Sequence, residues 1–146
     1  MNDMDQMRIV DEILAGSAYA ILATCDAEGP RVRPVSAFAR GDGFIWIAAF
    51  SGSRKMAEIE ANPRVEICFV DDRHWHVRVR GRAIIESDIK IKAALMNDEL
   101  TPEMWRTHLS GPEDPRFGLI RIAPELFEWN RSGEVTYRTV VPKRDA

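Results

Sequence analysis

The chain alternates between short apolar runs and clusters of turn-forming residues, which is typical of antiparallel strands joined by tight turns. The apolar runs are rich in aromatic and β-branched residues, whereas Gly, Asp, Asn, Ser or Pro lie between them. Short connections of this kind predict a meander in which consecutive strands pair. The predicted strands are 19–25, 31–39, 44–50, 64–70, 75–86, 117–129 (interrupted at 123–125) and 135–141.

Three of these runs constrain the sheet further. The run 19–25 is apolar at nearly every position, which predicts burial on both faces. Pro34 cannot donate to a ladder, so it predicts an edge, a bulge or a ligand within 31–39. Gly81, in the middle of 75–86, indicates the bend or bulge that a small barrel needs to close. The pattern therefore favours a closed or nearly closed antiparallel barrel of six or seven strands over a sandwich.

Four segments are predicted to be peripheral helices. Residues 2–15 place their apolar side chains on one stripe before Gly16, so this helix is expected to cover an end or an edge of the barrel. A short helix over 56–61 ends at Asn62-Pro63. The other two predicted helices, with their caps, are 87–97 (Ser87 or Asp88) and 101–109 (Thr101, with Pro102 at its first position).

Composition and charge are those of an ordinary globular domain. A length of 146 residues, 45% hydrophobic and 29% charged, predicts one domain over 1–146 with a frayed tail at 142–146. The net charge of −3 argues against a general nucleic-acid binder. Cys25 and Cys68 lie in separate apolar runs, which predicts reduced, buried thiols in a cytoplasmic protein. Neither a targeting segment nor a run of membrane-spanning length is present in the sequence, so no membrane association is expected.

One stretch has the order of features that suits an anion. The apolar run 44–50 is followed by Ser51-Gly52-Ser53, then by Arg54-Lys55, then by the helix over 56–61. The first N–H groups of a helix lack partners inside the helix and carry partial positive charge, so hydroxyls and cations beside them could hold a phosphate. The alternative is that Ser53 caps the helix and the two cations are solvated, and the residues alone favour this alternative. The helix dipole argues against this capping alternative, because cations are poorly placed at a helix N-terminus without an anion.

Other chemical groups give weaker signals. Arg78, Arg80 and Arg82 alternate along the fifth strand, and an ion-paired or solvated face explains them better than a nucleic-acid stripe. His74 and His76 would share a face of a strand, but no third ligand has a suitable spacing, so no metal site is expected. The sequence contains no convincing catalytic acid, base or nucleophile, and the catalytic residues stay unassigned.

At SGSRKMAEIEANPRVEICF the chain resembles the pyridoxamine 5′-phosphate oxidase-like, FMN-binding split-barrel proteins. The segment ATCDAEGPRVRPVSAFARGDGFIWIAA is similar to that family's opening hairpins, and VRGRAIIESDIKIKAALM is similar to its fifth strand and following helix. The segment LSGPEDPRFGLIRIAPELFEWN is similar to the closing segment of the general-stress-protein branch. The resemblance covers most of residues 19–130, and the Ser-Arg-Lys helix start followed by Asn-Pro is its most specific part.

The resemblance implies a mainly β (α+β) split barrel that forms a homodimer, with FMN bound at the subunit interface and a small-molecule redox partner. It also implies the site residues. By role, these are Arg33, Pro34, Val35 and Ser36 along the flavin, partly through backbone groups; Ser53, Arg54 and Lys55 on the FMN phosphate; His76 reaching the flavin from the partner subunit; Trp129 near the isoalloxazine ring; and, with looser spacing, Arg138.

The chain departs from the family pattern at two points. Ala49 stands where many relatives have a threonine on the third strand, and the closing VTYRTVVPKRDA lacks the arginine-rich substrate motif of the true pyridoxamine phosphate oxidases. The second departure argues against vitamin B6 phosphate as the substrate. The same basic residues also fit the phosphate of a deazaflavin cofactor (F420), which some relatives use in place of FMN.

The leading hypothesis is a flavin-dependent oxidoreductase that carries out hydride or electron transfer on a small molecule. One alternative is a protein that binds flavin without turnover, as a carrier, a buffer or a stress-related sensor. Another is a barrel that binds no flavin and serves as an interaction module.

Overall fold

The computed structural model describes residues 1–97 and 103–143, which form four helices and eight strands. The helices are α1 (Asp3–Ala15), α2 (Arg54–Ala61), α3 (Ile89–Met96) and α4 (Glu103–His108). The strands are β1 (Ala20–Asp26), β2 (Gly29–Val35), β3 (Ala37–Ala39), β4 (Ile45–Phe50), β5 (Arg64–Val70), β6 (His76–Ile85), β7 (Phe117–Asn130) and β8 (Arg138–Val140).

All strands belong to one curled antiparallel sheet, as the sequence predicts. The order is β2-β1-β5-β6-β7-β4-β3, and β8 pairs with β7. The two edge strands, β2 and β3, follow each other along the chain with only Ser36 between them. The segment 29–39, which bends at Ser36, therefore joins the two edges of the sheet and makes it a split barrel. The prediction of one strand over 31–39 is wrong in detail, whereas the edge location that Pro34 indicates is confirmed.

The barrel interior is filled by the inward-facing side chains of the strands, and two helices close its ends. α1 contributes Ile9, Val10 and Ile13 to the core and lies near the turn between β5 and β6, where Gly16 approaches Asp71. α2 contributes Met56 and Ile59 and leads directly into the start of β5. The predicted role of the N-terminal helix as a cover is thus confirmed.

A bulge lets the long strands β6 and β7 curve together. Their register shifts between Arg80 and Gly81, and Gly81 pairs with Pro124. A Cβ atom on Gly81 would collide with the carbonyl oxygen of Ala123, so this position accepts only glycine without movement of the backbone. The bulge indicated by Gly81 is confirmed. The interruption predicted at 123–125 is instead this bulge, within one continuous strand.

Several other expectations are corrected or fall outside the described residues. β1 alternates between buried and exposed positions rather than being buried on both faces. Cys25 is exposed, contrary to the prediction of a buried thiol, and Cys68 is partly buried. The last strand is shorter than 135–141. The predicted cap Thr101, the predicted first helical residue Pro102 and the end of the predicted tail at 144–146 lie outside the described residues.

The remaining local predictions agree with the structure. Asp88 caps α3, and its carboxylate accepts a hydrogen bond from the backbone N–H of Lys90. The arginines on the outer side of β6 are ion-paired with Glu128 and Glu125 of β7, which confirms the predicted ion-paired face. Within the described residues no helix is both long and apolar enough to cross a membrane.

Gly81→Ala is expected to lower the free energy of unfolding by roughly 1–3 kcal/mol, because overpacking against the Ala123 carbonyl forces the backbone at the bulge to move. Urea denaturation followed by circular dichroism measures the change. Gly52→Ala is the matched control, since a Cβ atom there meets nothing within 4 Å. Equal midpoints for the two variants would contradict this account of the bulge.

Candidate functional site

The loop that joins β4 to α2 is tied to the start of β7. The backbone N–H of Ser51 donates to the carbonyl of Arg116 at 2.9 Å, and its hydroxyl donates to the carbonyl of Pro115 at 2.6 Å. Gly118 makes this close approach possible, because a Cβ atom there would lie 2.7 Å from the Met56 Cε and 2.8 Å from the Ala49 carbonyl oxygen. The loop conformation is therefore fixed by the backbone and hydroxyl of Ser51, without hydrogen bonds within the described residues from the side chains of Ser53, Arg54 or Lys55.

Ser53 stands at the N-cap of α2 but does not cap it. Its backbone is extended, as at a cap, yet its side chain accepts no hydrogen bond from the first turn. The Ser53 Oγ atom is enclosed and has no hydrogen-bond partner in the part of the chain that the structure describes. The capping interpretation is thus wrong for the side chain, and a buried hydroxyl is left available at a helix N-terminus.

Two cations follow Ser53 in the first turn of α2, in different surroundings. Lys55 is half-buried, and within the described residues its ammonium group has no hydrogen bond or ion pair. Burial, and then the nearby positive charge of Arg33, lower the pKa of Lys55. Arg54 is 74% exposed and lies 3.9 Å from Asp26 and 3.6 Å from Glu58. The helix start therefore carries an under-compensated positive charge. Ser53, Arg54 and Lys55 are called the cradle below.

A buried carboxylate lies beneath the cradle. Glu58, on the inner side of α2, is 6% exposed and accepts hydrogen bonds from the Thr24 hydroxyl of β1 and, at 2.6 Å, from the Arg33 guanidinium of β2. Arg33 also donates to the Thr24 hydroxyl at 2.8 Å. The hydrogen bond from Thr24, followed by that from Arg33, holds the pKa of Glu58 below its ordinary value. This triad ties α2 to the edge of the sheet.

Thr24 and Glu58 were missed from the sequence. Thr24 sits in an apolar run and Glu58 in a helix with several charged residues, so each looks like an isolated polar residue. One feature of the sequence could have indicated that Glu58 is buried. Glu58 directly precedes Ile59, which lies on the face of the helix that packs against the barrel.

The predicted flavin segment, Arg33 to Ser36, has mixed surroundings. The Arg33 guanidinium is occupied by Glu58 and Thr24, and the Val35 side chain lies in the core. Pro34 and Ser36 are exposed on an edge strand and at the bend that follows it. Backbone groups of this segment, rather than the Arg33 side chain, are thus the available contacts.

The structure does not bring His76 to the cradle within one chain. His76 pairs with Val70 at the far end of β5, and its Nε2 lies 2.6 Å from the Tyr137 hydroxyl. The cradle lies near the start of β5, where Arg54 approaches Asp26 at the end of β1. β5 is seven residues long, so these ends are separated by roughly 20 Å. The role of His76 stays a prediction that needs a second chain.

Trp129 is fully buried, and its Nε1 donates to the Gln6 side chain of α1 at 3.0 Å. The guanidinium of Arg138 stacks over the Trp129 ring, 4.8 Å from its centroid. With its ring covered in this way, Trp129 has no surface free for a flavin in this arrangement. Its assignment to the isoalloxazine stays a prediction that the burial of the ring does not favour.

The outer face of β1, β2 and β5 carries a continuous apolar surface. Ile21 pairs with Pro34 and with Cys68, while Ala23 pairs with Val32, and all of these side chains point away from the barrel interior. Val32 is 68% exposed. The apolar face, as it is called below, consists of these residues and of Val70, which ends β5 and pairs with His76: Ile21, Ala23, Val32, Pro34, Cys68 and Val70. Apolar side chains on both sides of β1 explain why its sequence lacks the alternation of a half-buried strand.

Ala49, which replaces the threonine of many relatives, is buried within the main core. A threonine hydroxyl at this position would lie in the core, so its absence removes no group from the exposed surface of the cradle. Among the described residues, no group of three or more His, Cys, Asp or Glu side chains is placed to hold a metal ion. What the site offers chemically is anion binding beside an exposed strand edge.

Comparisons with known proteins agree with this architecture. A family model described as pyridoxamine 5′-phosphate oxidase matches residues 8–129. The pyridoxine/pyridoxamine 5′-phosphate oxidase of Anaeromyxobacter dehalogenans (strain 2CP-C) is 33% identical over an alignment that covers 86% of this chain and 78% of that protein.

Solved structures share the fold at lower sequence identity. The General Stress Protein 26 from Bacillus anthracis str. Sterne has a TM-score of 0.77 at 23% identity, over 95% of this chain and 100% of that chain. A heme binding protein from Mycobacterium smegmatis has a TM-score of 0.72 at 17% identity, over 88% of this chain and 55% of that chain. Likeness at these identities shows a common fold.

Glu58→Gln is expected to lower the free energy of unfolding at pH 7 by roughly 1–3 kcal/mol, because it weakens hydrogen bonds between charged groups. The folded-state pKa of Glu58 is depressed, so the contribution is present above the ordinary value of 4.5 and is lost as the pH falls through the folded-state pKa. Urea denaturation of wild type and variant from pH 7 down to pH 3 should therefore show converging stabilities. Glu60→Gln, an exposed carboxylate on the same helix, is the control. A gap that stays constant with pH would contradict the role of the Glu58 charge.

Proposed function

This chain belongs to the pyridoxamine 5′-phosphate oxidase family, and we propose that it is a flavoprotein that binds FMN with the cofactor phosphate in the cradle. Members of the family generally bind flavin and act as oxidoreductases. When bound, FMN supplies hydride or electron transfer, and the chain contributes binding, orientation and electrostatics. The proposed activity is flavin-dependent oxidation or reduction of a small molecule.

One observation carries the proposal: among the described residues, neither the enclosed Ser53 Oγ nor the ammonium of Lys55, two residues further on in the first turn of α2, has a partner. A phosphate would accept hydrogen bonds from the Ser53 hydroxyl and from the free N–H groups of the first turn. It would also compensate the charge of Lys55, which is now opposed by Arg33. A buried polar group without a partner is costly, so its retention here fits a ligand that completes it.

The remaining predicted residues fit a flavin held along the edge of the sheet. Pro34 and Ser36 are exposed, and edge-strand backbone groups next to them are available to a planar polar ring. Arg33 is a positioning residue in this proposal, because its guanidinium is engaged with Glu58 and fixes the strand against α2.

We further propose a homodimer in which the apolar face is the interface. Members of this family are commonly dimeric. The apolar face exposes Val32, Ile21 and Val70, a surface that a monomer would leave in water. His76 borders this face, so a second copy could bring it to a flavin that the first copy cannot reach. The homodimer therefore accounts for two otherwise separate observations.

The proposal leaves vitamin B6 phosphate aside as the substrate, because the closing segment lacks the arginine-rich motif. A deazaflavin also carries a phosphate that the cradle could bind, and a fold relative binds heme, so F420 and heme are the competing ligands. Reduction by NADH or NADPH in the presence of an acceptor separates a catalyst from a protein that only binds flavin.

FMN is expected to bind apoprotein with quenching of its fluorescence, whereas riboflavin, which lacks the phosphate, should bind far more weakly. Replacing both Arg54 and Lys55 by Ala should weaken FMN binding by about 100-fold or more, because two charge-assisted contacts are lost. Lys90→Ala, an exposed cation on α3, is the control. Circular dichroism establishes that the double variant is folded.

Ser53→Ala separates the cradle from a simple helix cap in the same titration. Since the Ser53 hydroxyl bonds to nothing in the first turn, the variant should lose FMN affinity while the apoprotein keeps its stability. Unchanged FMN affinity in the folded double variant, or equal binding of riboflavin and FMN, would overturn the cradle. Binding of F420 or heme instead of FMN would reassign the cofactor.

Val32→Asp is expected to convert the dimer to a monomer in sedimentation velocity, because it buries an unpaired charge in the proposed interface. Val135→Asp is the matched control, since Val135 is 92% exposed and lies outside the apolar face. A dimer that survives Val32→Asp, or a wild type that binds FMN as a monomer, would refute the proposed interface.

A further inference from the structure

A cavity of about 630 Å³ lies between the last two turns of α1 and the hairpin formed by β3 and β4. This volume is within the range of small-molecule sites, roughly 300–1,000 Å³. Asp11, Leu14 and Ala15 line it from the helix, where a spacing of three and four residues places them on one face. Phe38, Phe44 and Ile45 supply much of the opposite wall. The predicted site residues are absent from the lining.

The lining holds one carboxylate, that of Asp11, among apolar side chains, Ser17 and the backbone of two glycines. Asp11 has no hydrogen bond or ion pair within the described residues, and its partial burial raises the pKa of the carboxyl. Among the described residues that line the cavity there is no Lys, Arg or His. A ligand that carries a phosphate or carboxylate would meet Asp11 without a compensating cation, whereas a ligand with a protonated amine would supply the missing partner.

Phe44, which precedes β4, is held in place by polar and aromatic contacts. The Phe44 backbone N–H and the Trp46 indole N–H both donate to Asp42, at 3.0 and 2.9 Å. The Phe44 and Trp46 rings meet edge to face with centroids 6.1 Å apart, and the Arg121 guanidinium lies 4.7 Å from the Phe44 centroid. The Phe44 ring is thus engaged with Trp46 and Arg121 on the side of the hairpin that packs against α3, and Phe44 fixes this edge of the lining.

This cavity is distinct from the cradle. Ile45 begins β4 and lines the cavity, whereas Phe50 ends β4 and leads into the cradle loop. The two residues are five positions apart along the strand, which is roughly 17 Å. Ala37, which also lines the cavity, directly follows Ser36 at the end of the proposed flavin segment. The cavity therefore adjoins the proposed cofactor segment without sharing the phosphate site.

We propose that this cavity binds a small molecule with an aromatic or compact apolar body and a protonated amine, with the amine on Asp11 and the body between Leu14 and the β3–β4 hairpin. The use of the cavity as the substrate pocket rests on the proposed function, whereas binding of the amine does not. This ligand class is opposite in charge to a phosphorylated substrate, which agrees with the absence of the arginine-rich motif at the end of the chain.

The probes are benzylamine, benzoate and benzyl alcohol, which share a ring and differ in the charge of one group. Binding to the full-length protein is followed by saturation-transfer NMR and by the chemical shifts of residues around the cavity. Benzylamine is expected to bind saturably and benzoate to be rejected. Asp11→Asn should weaken benzylamine at least about tenfold, because a charge-assisted contact becomes a neutral one. Ala15→Phe, an exposed position on the rim, should block the cavity for benzylamine and benzyl alcohol alike.

Glu12→Gln is the matched control, because Glu12 is an exposed carboxylate on the same helix that does not line the cavity. FMN titrations of the same variants keep the two proposals apart, since none of these positions belongs to the cradle. Amine binding without FMN binding would remove the flavoprotein and leave the cavity assignment intact. Benzoate binding as tightly as benzylamine, no saturable binding of benzylamine, or benzylamine binding unaffected by Asp11→Asn would overturn the cavity assignment.

Discussion

The ion pair between Glu58 and Arg33 fixes the geometry on which the candidate site depends. It joins a helix to the edge strand of a split barrel, at a place where backbone pairing alone would leave the edge free. Removing both charges from water is costly, and the additional hydrogen bonds through Thr24 offset that cost. The result is less a source of stability than a constraint on position. α2 cannot slide along β1 without leaving a buried charge unpaired, so its N-terminus is held over the end of the barrel.

This constraint explains how a strong positive site can exist in an acidic chain. Glu58 satisfies Arg33 from below and also lies 3.6 Å from Arg54, whereas Lys55 has no ion-pair partner in the part of the chain that the structure describes. The uncompensated charge of the cradle is therefore that of Lys55 beside the helix N-terminus. The net charge of −3 therefore says little about the local charge at this place.

Much of the fold could be predicted from the pattern of apolar runs and turns, because each strand of a small barrel must alternate or be covered. Gly81 and Pro34 marked the bulge and the edge through their backbone chemistry. The bend at Ser36 was not predictable, since no glycine or proline at that residue interrupts the run 31–39. The exposure of Cys25 was missed for a related reason: apolar residues on the outer face of β1 look the same in sequence as residues buried on both faces. The cradle was predictable as an order of residue types, but Thr24 and Glu58 become a site only through long-range contacts.

The two ends of β4 differ in the charge they present, and this difference is itself informative about function. One end leads to a loop, a helix N-terminus and cations, and the other borders a cavity whose one carboxylate, Asp11, has no ion-pair partner among the described residues. A site for one anionic ligand would gain nothing from the carboxylate, and a site for one cation would gain nothing from the cradle. Two ligands of opposite charge, one on each side of the bend at Ser36, would use both the cradle and the Asp11 carboxylate. A cofactor anchored by its phosphate and a smaller cationic molecule beside it are such a pair, and each would be selected by its own end of the same strand.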